Sequence, residues 1–215
     1  MLNKFTCIEG CSDCCINREY FPSKEFGKIG VLLLPDEKNK IQRLAELKKI
    51  KIRILPRIGV GINENGQSPK NILLYQLMGR EEDGNTCPFL ESDGSERSPH
   101  GGARCTIYHE RPAACKAYPL VGIDPVLSTL DSKCSYCVSN NRNRVSNLGL
   151  TNEINALNEI KDFTSIGDDD QLWRYATNVG DPSDGKMLPE GWIQIKDETK
   201  ESRNGASKSQ RSCSG

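Results

Sequence analysis

Residues 7–15 read C-I-E-G-C-S-D-C-C, which puts Cys7, Cys11, Cys14 and Cys15 within nine residues. Thiolate is the soft ligand that selects zinc and iron–sulfur clusters, so thiols at this density point to a bound metal. The C-x3-C-x2-C spacing lets successive thiolates converge on one centre without strain. Cys14 and Cys15 are adjacent. In an extended chain neighbouring side chains point to opposite sides, so one thiol can serve a first centre and the other a second, or stay free.

Five more cysteines follow before residue 140: Cys87, Cys105, Cys115, Cys134 and Cys137. Any of Cys87, Cys105 and Cys115 can complete a site begun at residue 7. Such a long-range ligand makes metal binding part of folding. Cys134 and Cys137 form a separate C-x2-C pair, a spacing used both for metals and for redox couples. Nine thiols are enough for two four-ligand sites with one left over, or for one site with five to spare. Only two histidines are present, His100 and His109. Closed zinc sites usually mix in histidine or pair two C-x2-C knuckles, so an all-thiolate set favours an iron–sulfur cluster, with Zn2+ the alternative. His109 is expected to be solvated at a helix start, and His100, in a Pro-Gly-rich loop, is a weaker ligand candidate still. Arg111 is placed either to neutralise cluster charge or to pair with Glu110 at the surface.

Around the cysteines the chain is polar. It has 215 residues, 36% hydrophobic and 6% aromatic, with 29 basic and 29 acidic side chains. A small core is expected, with metal crosslinks making up stability. A formal net charge of zero gives no field that would draw nucleic acid or an anionic membrane. The longest apolar run, Val31–Leu34, is too short to span a bilayer. M-L-N-K-F-T-C lacks the apolar stretch of a secretory signal, so the expected location is the cytoplasm, where thiols stay reduced and disulfides are rare. A protein or redox partner is expected, of unreadable identity. Two histidines compose no hydrolase triad, no glycine-rich phosphate loop is present, and whether the chain is an enzyme stays open.

Local patterns predict an α+β fold, with a short antiparallel meander and helices pinned by metal. Residues 29–34 suit a short strand. Ile41, Leu44, Leu47 and Ile50 predict a helix over roughly 36–50, capped by Asp36. Ile52, Ile54 and Ile58 suit a strand that Pro56 confines to an edge. Residues 59–69 read as a loop, and 71–79 as a strand. Residues 87–90 and 105–108 suit two short strands. Pro112 fits the first position of a helix reaching Tyr118. A helix is expected over 152–163, with Ile154, Leu157, Ile160 and Phe163 on one side. Another is expected from Asp168–Asp170 through Leu172, Trp173 and Tyr175. The expected organisation is a metal-binding domain over 1–139, a helical extension over 140–196 and a disordered tail over 197–215 that holds Cys213.

The order C-I-E-G-C-S-D-C-C, L-L-L-P-D-E, C-P-F-L and C-T-I-Y-H-E-R-P-A-A-C-K-A-Y-P-L resembles the YkgJ-type CxxCxxCC family, over about residues 5–122. That family is described as a zinc- or iron-chelating domain, sometimes as an iron–sulfur protein. The resemblance implies metal ligands at Cys7, Cys11, Cys14, Cys15, Cys87, Cys105 and Cys115, with an eighth from Cys134 or Cys137. Two features depart from the pattern: the first gap is three residues instead of two, and the loop from Glu91 to Arg104 is long. A similar cysteine block occurs in flagellin lysine N-methylases, which are longer chains.

Overall fold

A computed structural model describes residues 6–16, 26–80, 86–91, 93–121, 129–139, 150–164, 171–177 and 190–195. The Asp168–Asp170 helix start, the tail and Cys213 lie outside these residues. In chain order the helices are α1 (Asp13–Ile16), α2 (Pro35–Lys48), α3 (Ala113–Ala117), α4 (Ser135–Ser139) and α5 (Thr151–Phe163). The strands are β1 (Val31–Leu33), β2 (Ile54–Val60), β3 (Asn71–Leu77), β4 (Leu90–Glu91), β5 (Arg104–Cys105), β6 (Leu120–Val121), β7 (Thr129–Leu130), β8 (Leu172–Ala176) and β9 (Gly191–Gln194). A 3-10 turn spans Tyr108–Glu110.

The main sheet is antiparallel, in the order β1-β3-β2-β8-β9. One face buries Leu33 and Leu77 against Ile41 and Ala45 of α2, with Phe89 and Ile107. The other buries Leu32 and Leu74 against Ala113 of α3 and Ile160 of α5. The fold is therefore α+β, with helices on both faces of the sheet.

α2 forms where expected, with a different start. Leu34 is the N-cap and Pro35 opens the helix, where its missing N–H costs nothing. Glu37, not Asp36, does the capping. One carboxylate oxygen accepts the Leu34 N–H at 2.9 Å and the other accepts the Ala113 N–H at 2.6 Å. One side chain thus satisfies the starts of α2 and α3 together. Pro112 is the residue before α3 instead of its first position. The apolar rows of α2 and α5 also come out narrower than expected. Leu47 is 72% exposed and Phe163 45%. A step of three residues falls short of a 3.6-residue turn, so two such steps swing a side chain about 120° around the helix.

The helix expected through Leu172, Trp173 and Tyr175 is instead strand β8. It takes hydrogen bonds from β2 on one side and β9 on the other. Trp173 is buried and its indole N–H donates to the Gly61 carbonyl at 2.6 Å. Two waiting sheet partners outweigh an acidic start, because strand preference is set by context.

β2 is an interior strand, not the edge expected from Pro56. β8 joins it only at Ile58–Val60, so Pro56 pairs with β3 alone, next to a break in register. Gln76 repairs the gap. It is fully buried, accepts the Gly30 N–H at 2.9 Å and donates to the Pro56 carbonyl at 2.9 Å. Gly30 must lack a side chain, since a Cβ there would overlap the Leu77 carbonyl. The two short strands at 87–90 and 105–108 shrink to the β4–β5 pair, with Leu90 opposite Cys105. That pair sits beside the α2-facing core and carries the cysteines toward the N-terminal block.

Candidate metal centre

Backbone bonds lash the N-terminal cysteine block to three distant segments. Cys7 donates its N–H to the His100 carbonyl at 2.7 Å, and Ala103 donates to the Cys11 carbonyl at 2.8 Å. Cys87 donates to the Cys15 carbonyl at 2.6 Å. The Ser135 N–H, just after Cys134, donates to the Asp13 carboxylate at 3.1 Å. The Ser135 side chain, and to a lesser degree this N–H, hold the Asp13 carboxyl below its usual range. These ties gather cysteines separated by more than a hundred residues in sequence.

None of the nine cysteines among the described residues is in a disulfide. Eight of them line two adjoining cavities of about 40 and 60 Å3. The inner one meets Cys11, Cys14, Cys15, Cys87, Cys105 and Cys115. The outer one meets Cys7, Cys11, Cys14, Cys115 and Cys134. Each void exceeds the roughly 15 Å3 that one water needs. Cys137 lines neither cavity, but its thiol interacts with that of Cys134. Cys14 and Cys15 belong to the turn α1 instead of an extended segment, and their sulfurs stand 3.9 Å apart.

Burial keeps several thiols protonated. Cys7 is pushed up to about 12 by burial, with Cys11 and Cys134 nearby adding to the effect. Burial raises Cys11 as well, and lifts Cys105 to about 11. Cys137 reaches about 12 through burial and its neighbour Cys134. Neutral thiols packed this closely are what a soft cation deprotonates and crosslinks. Among the described residues, no three His, Cys, Asp or Glu side chains already close on one ion-sized point. The thiols ring open space, and drawing them onto a metal requires side-chain rotation. By donor chemistry and enclosure the residues fit a thiolate-bound metal.

Two other groups reach this space. Arg111 lines both cavities, its guanidinium 3.8 Å over the Tyr108 ring and its Nε–H donating to the Tyr108 carbonyl at 3.0 Å. It is placed to offset thiolate charge. His100 also lines both, stacked on Tyr108, and its Nδ1 is buried without a hydrogen-bond partner. Burial and the nearby Arg111 lower its basicity to about 4, so the ring is neutral. The sequence ranked His100 below His109, yet His109 is exposed and outside the site. No local signal marks His100; its position depends on residues 98–103 folding back over residues 7–11.

A family model described as "Putative zinc- or iron-chelating domain", named CxxCxxCC, matches residues 6–143. The chain belongs to the CxxCxxCC family. The match spans all nine clustered cysteines, including the Cys134–Cys137 pair and the long 91–104 loop, and leaves out Cys213. This CxxCxxCC chain is thus a metal-binding protein of zinc- or iron-chelating type. No curated protein and no solved structure matches it.

Proposed function

We propose that the thiolates hold an iron–sulfur cluster that serves a redox or modifying role. The observation that carries this reading is the number and placement of the thiols. Eight line two cavities that share a wall, twice what one tetrahedral ion takes up. A cluster would supply one-electron chemistry; the chain would supply burial, thiolate ligands and the Arg111 charge. A third cavity of about 420 Å3 opens beside Cys14, with an apolar lining that includes Val31, Leu120 and Leu157, and with Arg57 at its wall. That volume falls in the range of small-molecule sites. Arg57 stays cationic there, although burial and then Arg174 lower it to about 10. Under this reading the cavity admits the substrate, and a protein or electron-transfer partner docks nearby. A reducing cytoplasm suits such thiols. Among the described residues no helix is long and apolar enough to cross a membrane.

A structural zinc module is the second reading, and one contact favours it. Cys134 interacts with both Cys7 and Cys137, and Cys7 with Cys11, which brings a C-x3-C pair against a C-x2-C pair. Two short-spaced pairs are how closed zinc sites are built. Anaerobic purification followed by iron, zinc and acid-labile sulfide analysis separates the readings. Iron with matching sulfide and broad visible absorption supports the cluster. Stoichiometric zinc without sulfide supports the structural module and overturns the cluster.

A further inference from the structure

The wall shared by the two thiol cavities has a definite composition. Six residues line both: Cys11, Cys14, Cys115, His100, Arg111 and Tyr118. Three cysteines and one histidine therefore belong to the lining common to both cavities. The imidazole is held there by its surroundings. Its ring stacks on Tyr108 with centroids 5.3 Å apart and planes 23° from parallel. The His100 backbone carbonyl is tied to the Cys7 N–H. Gly102 leaves the ring room, since a Cβ at 102 would stand 2.9 Å from His100 Nε2 and 2.9 Å from the Cys11 carbonyl. A ring fixed this closely still has a buried Nδ1 with nothing to bond. A buried polar atom left unsatisfied is costly, and a metal is one partner that removes the cost.

We propose that His100 is a nitrogen ligand of the metal centre, bound beside Cys11, Cys14 and Cys115 on the wall between the two cavities. The proposal rests on the metal-centre reading above and refines it from an all-thiolate site to a mixed one. Exchanging one thiolate for a neutral imidazole makes the bound centre less negative by one unit. In an iron–sulfur cluster, histidine ligation raises the reduction potential relative to an all-cysteine set.

The chain has only two histidines, which makes the test nearly site-specific. Wild type, His109→Ala and His100→Ala are purified anaerobically, one portion loaded with zinc and another reconstituted with ferrous iron and sulfide. Metal content and X-ray absorption at the zinc and iron edges are recorded. Wild type and His109→Ala are expected to show the multiple-scattering signature of imidazole in at least one metal form, and His100→Ala to lose it. Metal bound by sulfur alone in wild type overturns the histidine ligand and leaves the thiolate centre standing. Retention of the imidazole signature in His100→Ala overturns the histidine ligand in the same way. A wild-type chain that binds neither metal overturns both. If His100→Ala does not fold, loss of the signature in His109→Ala overturns the proposal, and its retention there assigns the signal to His100.

Discussion

Gln76 and Cys11 illustrate two kinds of dependence on a single side chain. Gln76 makes two hydrogen bonds in full burial, to Gly30 and to Pro56. Gln76→Leu keeps the volume and strands both backbone partners, so a loss of about 1–3 kcal/mol is expected in a urea titration. A change under a few tenths would show that the gap beside Pro56 needs no repair. Cys11 lines both cavities, and its carbonyl holds Ala103. Cys11→Ser keeps that backbone bond and removes a soft ligand, so metal content should fall to background while Cys213→Ser, outside the family match, retains the wild-type value. Full metal content in Cys11→Ser would argue against the site as drawn.

Among the elements, α2 carries two features that a sequence pattern does not show. It ends on Lys49 in the left-handed region, φ 55° and ψ 38°, where a side chain is penalised and glycine is not. Lys49→Gly should raise stability by about 1 kcal/mol, read as a higher denaturation midpoint at unchanged slope. At its other end, burial raises the Glu37 carboxyl above its ordinary range even though two amides donate to it. The folded chain holds that proton more tightly than the unfolded chain. The resulting stabilisation is complete below the unfolded carboxylate range and is lost as pH rises through the raised folded value. Glu37→Gln removes the titration, so that part of the stability–pH curve should flatten. An unchanged curve would mean that some other group produces the slope.

At the scale of the whole molecule, the cysteines come from α1 and the loop before it, the approach to β4, β5, α3 and the start of α4. A metal bound by several of them crosslinks the chain across more than a hundred residues. Its binding energy then becomes folding energy. Stripping metal with a strong chelator should lower the melting temperature of the entire cooperative transition, and readdition should restore it. A melt indifferent to metal would mean that the sheet and its two helical layers stand alone.

Much of this was legible in the sequence, and the physical reasons differ by kind of signal. Thiol identity and spacing are local chemistry, so C-x3-C-x2-C-C and the later cysteines announced a soft-metal protein before any fold was known. Long amphipathic segments such as α2 and α5 also declare themselves, since their periodicity repeats over several turns. What the tertiary structure alone decided is whatever a distant segment supplies. β8 is a strand because β2 and β9 offer it partners, and Pro56 is tolerated inside the sheet because Gln76 crosses to meet its carbonyl. His100 joins the thiols because residues 98–103 fold back over the first cysteines. Residue types and spacings select the chemistry, but which side chains share one cavity depends on contacts between segments far apart in the chain.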